Sequence, residues 1–113
     1  GGKIINISSI SVKYGGSSHT LHYGAAKSAL ETVTLGLSKA GAKHNILVNT
    51  IRGGFIDTPM HQKNEKKNLK DRINMIPLKR PGQPQDIARM VLFLASEAGD
   101  FITGETFTVS GGD

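Results

Sequence analysis

Three side chains in the first quarter of the sequence could together carry out proton transfer. Tyr23 and Lys27 lie four positions apart, about one helical turn, so a helix here would put the hydroxyl and the ammonium group on one face. An ammonium group near a phenol favours its ionised form, which suits a general base. Ser9 lies fourteen residues before Tyr23, and a connection of that length can fold back over the helix start. Ser9, Tyr23 and Lys27 are therefore the candidate catalytic residues.

Each of these signals is weak when taken alone. A tyrosine packed at a helix start beside an exposed lysine explains the spacing equally well, and a serine after a strand is usually a turn residue or a cap. The combination with Gly53-Gly54 favours function, because these glycines follow a second predicted strand. Open α/β sheets bind their ligands at the carboxyl ends of such strands.

The hydrophobic pattern predicts a strand–helix–strand unit in the first fifty residues. Residues 3–8 and 45–51 are apolar and rich in β-branched side chains, which is typical of parallel strands buried on both faces. Residues 10–20 read as a loop. An amphipathic helix is expected over 22–43, with Thr20 as its N-cap.

The second half of the chain predicts two more helices and one strand. A polar helix is expected over residues 60–74, a proline-punctuated connection over 77–84 and an amphipathic helix over 85–97 that Gly99 would end. Residues 105–109 alternate polar and apolar side chains and predict a third strand.

Composition narrows the possible functions. The chain contains no Cys, which excludes disulfides and thiolate metal sites. His19 and His22 have no acidic or thiol partner nearby in the sequence, so we expect no metal. No apolar run is long enough to span a membrane, and no signal peptide precedes the first strand, so a cytoplasmic location is expected.

The net charge of +5 raises the question of an anionic partner. Much of the basic charge lies in residues 63–72, where acidic residues are interleaved and aromatic residues are absent. This pattern favours a solvated helix face over a nucleic-acid site.

Several motifs occur together in the order of a known family. They are Asn6-Ile7-Ser8-Ser9 before Tyr-x-x-x-Lys, Val48-Asn49, and the segments 54–60, 80–88, 93–96 and 101–112. With them the chain resembles the C-terminal half of a short-chain dehydrogenase/reductase. The 3-oxoacyl-acyl-carrier-protein reductases and the sugar or polyol dehydrogenases are about equally similar.

The resemblance implies an α/β fold, the C-terminal portion of a Rossmann-type doubly wound parallel sheet with three strands and flanking helices. Residues 1–113 would be the catalytic and substrate half of one domain. The implied reaction interconverts a carbonyl and an alcohol with NAD or NADP. Tyr23 would be the general acid/base, Lys27 would activate it and hold the nicotinamide ribose, and Ser9 would hydrogen-bond the substrate oxygen.

The resemblance also assigns residues to the cofactor. Ile56 and Thr58 would contact its carboxamide and phosphate side, and Gly54 would let the backbone approach, in addition to Tyr23 and Lys27. Gly53 replaces the proline that the family usually has, so the loop loses a fixed φ angle.

The family's N-terminal half, with its Gly-x-x-x-Gly-x-Gly turn for the pyrophosphate, has no counterpart here. No two glycines in the chain are separated by a single residue, so this turn cannot form. We therefore expect the isolated chain to be inactive. The expected partners are a small-molecule or carrier-bound carbonyl or alcohol substrate and, at full length, further copies of the protein, with no nucleic acid and no membrane.

Two alternatives remain open. The chain could be a non-catalytic remnant or oligomerisation module that keeps the packing surfaces of the fold. Binding of nucleic acid through residues 63–72 is a weaker alternative.

Overall fold

The computed structural model describes residues 1–59 and 66–113. The strands are β1 (Gly2–Ser9), β2 (Ile46–Gly53) and β3 (Thr106–Val109). The helices are α1 (Ser11–Tyr14), α2 (Leu21–Gly41), α3 (Lys66–Asn74) and α4 (Pro84–Ala95). Short 3-10 turns at Ala42–His44 and Glu97–Gly99 follow α2 and α4.

The three strands form one parallel sheet in the order β1-β2-β3. This confirms the predicted α/β fold with a parallel strand–helix–strand unit. In the register, Ser9 lies beside Gly53, and Gly53 lies beside Val109. The carboxyl ends of all three strands therefore meet at one edge of the sheet. The candidate site residues lie at the end of β1 and in the segments that come after β1 and β2.

Helices cover the two faces of the sheet. On β1, Asn6 donates to Thr34 of α2 at 2.9 Å, whereas Lys3 bonds Asp100, beyond the end of α4, at 2.8 Å. Positions 3 and 6 have opposite parity, so they point to opposite faces. The core between these layers is small, and its buried apolar side chains are Ile10, Val48, Ile51, Ile76 and Leu94.

A buried polar residue joins β2 to β3. Asn49 is only 3% exposed. Its Nδ2 donates to the carbonyl of Ile102 at 3.0 Å, and its Oδ1 accepts from the amide of Glu105 at 3.0 Å. Between them Gly104 turns with φ +75° and donates to the carbonyl of Val48 at 2.8 Å. The side chain of Asn49 thus stands in for a backbone partner and aligns β3 beside β2.

Burial of β1 on both faces was a wrong prediction. Ile4 and Ile7 are each 42% exposed, because within the described residues β1 lies at the sheet edge and pairs only with β2. The centre of the sheet is β2, where Val48, Thr50 and Ile51 are fully buried.

Several predicted boundaries also change. The predicted loop over 10–20 contains α1, and β2 continues to Gly53. Helix α2 ends at Gly41, because the chain tightens into a 3-10 turn that Asn45 ends at φ 55°. Thr20 is the N-cap residue of α2, but its Oγ1 accepts from the amide of Ser17 at 2.8 Å rather than from the helix.

The later helices partly match their predictions. Helix α4 ends at Ala95 and not at Gly99, because Ser96 has an extended backbone. The predicted helix over 60–74 is observed from Lys66, and its first part, residues 60–65, lies outside the described residues. Among the helices of the described ranges, none combines the length and apolarity that crossing a membrane requires.

Candidate active site

A cleft of about 670 Å³ opens at the carboxyl ends of the strands. Five of the six candidate site residues line it: Ser9, Tyr23, Gly54, Ile56 and Thr58. Ser9 and Tyr23 come from the β1–α2 side, and the other three come from the loop after β2. The sixth candidate, Lys27, lies one turn behind Tyr23 on α2. The geometry therefore gathers all the candidates around one space.

Ser9 is the last residue of β1, and its hydroxyl is held in a local turn. The amide of Ser11 donates to Ser9 Oγ at 3.1 Å, and Ser9 Oγ hydrogen-bonds Ser11 Oγ at 3.1 Å. Ser11 begins α1, so this short helix fixes the direction in which the chain leaves the sheet. The contact with Ser11 was not predicted, although a serine after a strand often accepts from the backbone amide two residues on.

Tyr23 and Lys27 occupy the first two turns of α2. Lys27 Nζ lies 5.6 Å from the centroid of the Tyr23 ring, within the range of a cation–π contact. The same ammonium group donates to the carbonyl of Ile7 at 2.9 Å. This bond ties α2 to β1 and keeps the positive charge beside the phenol ring. Tyr23 itself is 42% exposed.

Gly24 allows the helix start to lie close to the preceding loop. It is buried, and a Cβ atom there would lie 3.4 Å from the backbone of Gly15. Gly15 ends α1 in the left-handed region at φ 74°. The two glycines thus bring the Tyr23 turn of α2 against the end of α1.

The loop after β2 is held by the loop that contains Gly82, a contact that the sequence pattern did not predict. The amide of Asp57 donates to Gly82 at 2.7 Å, and the amide of Gly82 donates to Phe55 at 2.8 Å. These bonds make a parallel bridge between Ile56 and Gly82. Because successive backbone groups of an extended segment point to opposite sides, the N–H and C=O of Ile56 point away from Gly82.

Gly54 has a packing role in the structure. A Cβ atom at this position would lie 2.6 Å from Ser110 Cα, and the Gly54 amide donates to Val109 at 2.9 Å. Gly53 is also fixed, because its carbonyl accepts from Ile10 at 2.9 Å. Hydrogen bonds to the residue after β1 and to β3 therefore fix the start of the loop although position 53 is a glycine.

Thr58 carries an unsatisfied polar atom in the wall of the cleft. Among the described residues its Oγ1 is buried without a hydrogen-bond partner. Buried polar groups are normally paired, so Thr58 Oγ1 and Arg72 Nη1, which also lacks a partner among the described residues, are the atoms of the cleft lining that most need a ligand.

Arg72 brings α3 to the cleft. Its guanidinium carbon lies 5.3 Å from the centroid of the Phe55 ring, and its Nη2 bonds Asp113 at 2.5 Å. Arg72, His19 and His22 all line the cleft. Within the two described ranges, no three His, Cys, Asp or Glu side chains are grouped to hold a metal ion.

A charged cluster lies beside the site and was not predicted. Arg52 of β2 binds Glu31 of α2 with both arms of its guanidinium, Nη2 to Oε1 at 2.6 Å and Nε to Oε2 at 3.1 Å. Ser8 of β1 also donates to Glu31, at 2.5 Å. Burial disfavours the ionised carboxylate, but the hydrogen bonds from Arg52 and Ser8 outweigh it and lower the pKa of Glu31.

Comparisons with known proteins agree on one group. Residues 1–113 match the family model described as enoyl-(acyl carrier protein) reductase. The chain is 38% identical over 111 residues to the 3-oxoacyl-acyl-carrier-protein reductase FabG of Thermotoga maritima, covering 98% of the chain and 45% of that protein. It is 44% identical over 112 residues to the (3R)-3-hydroxyacyl-CoA dehydrogenase of Mus musculus, covering 98% of the chain and 42% of that protein.

Solved structures give the same result. One is a blue fluorescent protein from a metagenomic library in complex with NADPH, with a TM-score of 0.88 and 37% identity over 98% of this chain and 44% of that one. Another is the short-chain dehydrogenase/reductase, glucose/ribitol dehydrogenase, of Brucella melitensis, with a TM-score of 0.88 and 38% identity over 97% of this chain and 44% of that one. The chain thus spans less than half the length of the relatives that it matches.

Proposed function

The chain belongs to the short-chain dehydrogenase/reductase family, and from that premise we propose that it supplies the proton-transfer half of an enzyme that interconverts a carbonyl and an alcohol with NAD or NADP. One observation carries the proposal. Ser9 and Tyr23 line one cleft, and the Lys27 ammonium group lies 5.6 Å from the centroid of the Tyr23 ring.

The wall opposite Tyr23 fits a nicotinamide cofactor. The N–H and C=O of Ile56 point away from Gly82 and form a donor–acceptor pair that suits a carboxamide. Thr58 Oγ1 lacks a partner among the described residues, and Lys27 could bond a ribose hydroxyl. When bound, the nicotinamide would give or accept the hydride. The structural relative that contains NADPH supports this choice of cofactor class.

The chain's own residues would handle the proton and the substrate oxygen. The Tyr23 hydroxyl gives a proton to that oxygen during reduction and becomes a phenolate, and in the oxidation direction the phenolate removes the proton. The Ser9 hydroxyl, which donates to Ser11 Oγ at 3.1 Å in the structure, would turn to donate a hydrogen bond to the same oxygen as negative charge develops on it. Lys27, held by the carbonyl of Ile7, contributes a fixed positive charge beside the phenol.

We propose that the 113-residue chain is inactive by itself. Its sequence lacks the glycine turn that would hold the pyrophosphate, and more than half of each matched relative lies outside the match. Nicotinamide cofactors should therefore bind it weakly. A cytoplasmic location and a homo-oligomeric full-length protein belong to the same proposal.

For the substrate we propose a 3-oxoacyl thioester on coenzyme A or an acyl carrier protein. The support is the names of relatives, which include 3-oxoacyl-acyl-carrier-protein reductase and 3-hydroxyacyl-CoA dehydrogenase. The glucose/ribitol dehydrogenase structure makes a polyol the second substrate to test.

A chimera tests the proposal. The part of the Thermotoga maritima reductase that precedes the matched region is joined to Gly1, and acetoacetyl-CoA-dependent oxidation of NADPH is followed by absorbance. We expect no activity from the 113-residue chain and clear activity from the chimera. Tyr23→Phe should lower the activity of the chimera by a factor of about 10²–10⁴.

Two results would contradict the proposal. Reduction by the 113-residue chain, abolished by Tyr23→Phe, would show that the catalytic site is complete in this chain. A folded chimera that binds NADPH and keeps its activity after Tyr23→Phe would remove the assigned role of the tyrosine. Tyr14→Phe is the matched control, because Tyr14 does not line the cleft.

An assembly module is the second candidate function. It is favoured by Val33 and Leu37, two apolar side chains one turn apart on α2 that are 50% and 43% exposed. An oligomeric chimera without activity would support this candidate. The nucleic-acid alternative depends on residues 63–72, of which 63–65 lie outside the described residues.

A further inference from the structure

Two oppositely charged residues on α2 stand one turn apart without pairing. Lys27 and Glu31 are related as i and i+4, a spacing at which a lysine and a glutamate normally attract each other on a helix surface. In the described structure Lys27 instead donates to the carbonyl of Ile7 at 2.9 Å. Glu31 turns to the sheet, where Arg52 and Ser8 bind it.

The sheet occupies both oxygens of the Glu31 carboxylate. Arg52 bonds one oxygen at 2.6 Å and the other at 3.1 Å, and Ser8 bonds the second at 2.5 Å. Both charged side chains are largely covered, with 13% of Glu31 and 20% of Arg52 exposed. Ser8 and Arg52 are register partners on adjacent strands, so the donors are set by the sheet.

We propose that Arg52 is a positioning residue that holds the charge of Glu31 away from Lys27, so that the lysine ammonium group stays beside Tyr23. Arg52 does not line the cleft and acts through its neighbours. The inference rests on the proposed function, because it concerns the same proton-transfer site.

The effect follows from what Glu31 would do without Arg52. The carboxylate would keep only the neutral donor Ser8, and its charge would be unbalanced in a largely covered position. Lys27 is the cation one turn away on the same helix face and can reach it. A Lys27–Glu31 pair would draw the ammonium group from the Ile7 carbonyl and cancel its positive charge near the tyrosine.

The alternative is that the Arg52–Glu31 pair only stabilises the fold. The two ideas differ in what accompanies the loss of activity. If Arg52 masks Glu31, Arg52→Ala moves the Lys27 ammonium group from the Ile7 carbonyl, and neutralising Glu31 restores both kcat and that bond. If the pair is only structural, Arg52→Ala lowers the free energy of unfolding and leaves the bond from Lys27 to Ile7 in place.

The test uses the chimera with Arg52→Ala, Glu31→Gln and the double variant. We expect Arg52→Ala to lower kcat about tenfold with little change in KM for acetoacetyl-CoA, since contacts to that substrate are intact, whereas KM for NADPH should rise because Lys27 leaves the ribose. The double variant should recover to within about threefold of the unsubstituted chimera. A double variant as slow as Arg52→Ala would overturn the proposal. Arg89→Ala is the matched control, because Arg89 is 77% exposed and does not line the cleft.

A second measurement is independent of activity. The carbonyl ¹³C chemical shift of Ile7 reports the hydrogen bond from Lys27. We expect it to change in Arg52→Ala and to return in the double variant. If every chimera is inactive, the proposed function fails, but this signal still decides the inference. An Ile7 signal that Arg52→Ala does not move overturns the inference even if the unsubstituted chimera is active.

Discussion

At the scale of single residues, Asn49 shows how one buried side chain can align a strand. Its amide donates to Ile102 and accepts from Glu105, each at 3.0 Å. Asn49→Ala would leave both backbone groups without this partner in a covered position. Each unpaired buried group costs about 1–3 kcal/mol.

We therefore expect Asn49→Ala to lower the free energy of unfolding by about 2–4 kcal/mol, measured by urea denaturation. Asn74→Ala is the matched control, because Asn74 is exposed at the end of α3 and should change stability by less than about 0.5 kcal/mol. Equal effects of the two substitutions would show that the Asn49 bonds do not stabilise β3.

The candidate residues were readable in the sequence only where their positions form a short pattern. Tyr23 and Lys27 are separated by one helical turn, and Gly54, Ile56 and Thr58 follow one strand within a few residues. Their chemical roles stay predictions. Their gathering around one cleft is what the structure adds.

Glu31, Arg52 and Gly82 could not be predicted in this way. Arg52 lies 21 residues from Glu31, and their contact depends on the register between strands and the rotation of α2. Gly82 meets Ile56 only through the folded loop. No local spacing encodes contacts of this kind.

At the scale of elements, two glycines in different settings should respond oppositely to a methyl group. Gly36 lies inside α2, where an added Cβ meets nothing within 4 Å. Gly36→Ala should raise the free energy of unfolding by about 0.5–1 kcal/mol, because alanine restricts the unfolded chain.

Gly54→Ala should lower the free energy of unfolding by about 1–3 kcal/mol through overpacking. Its Cβ would lie 2.6 Å from Ser110 Cα, so the end of β2 or β3 must shift. Both variants are measured by urea denaturation without cofactor. If Gly54→Ala weakens only NADPH binding by the chimera, the glycine serves the cofactor and not the packing.

The contact between α2 and the sheet should weaken in acid. The pKa of Glu31 lies below its ordinary value of 4.5, since its bonds to Arg52 and Ser8 outweigh burial. A carboxylate with a lowered folded-state pKa stabilises the protein above the unfolded-state value, and this contribution is lost as pH falls through the folded-state value.

The free energy of unfolding should therefore fall between neutral pH and about pH 3, and part of this fall should disappear in Glu31→Gln. Glu97→Gln is the control, since Glu97 is exposed. An unchanged pH dependence in Glu31→Gln would mean that the carboxylate is bound no better in the folded chain than in the unfolded chain.

The sequence predicted whether a segment is a helix or a strand better than it predicted how exposed that segment is and where it ends. Apolar β-branched runs predicted the parallel strands, and the resemblance implied an open edge at β1, but such a run looks the same at an edge as at the centre, so the exposure of Ile4 and Ile7 on the faces of β1 was not predicted. Helix α1 has four residues, too few for a hydrophobic period. The end of α4 was misplaced because the turn at Glu97–Gly99 continues the helical pattern.

At the scale of the whole molecule, the exposed strand β1 has a consequence for the isolated chain. Within the described residues β1 pairs on one side only, and Ile4 and Ile7 are each 42% exposed. A strand edge of this kind offers unpaired backbone groups and apolar side chains to another chain.

We expect the 113-residue chain to self-associate as its concentration rises, measured by sedimentation velocity. Ile4→Lys should reduce the association, because a charged side chain on an edge strand opposes strand pairing. The chimera should lose this mode of association, since the added part would pair with β1. Leu92→Lys is the matched control, because Leu92 is 69% exposed and belongs to α4 rather than to β1. If Leu92→Lys abolishes association and Ile4→Lys does not, a helix face rather than the open edge of β1 joins the copies.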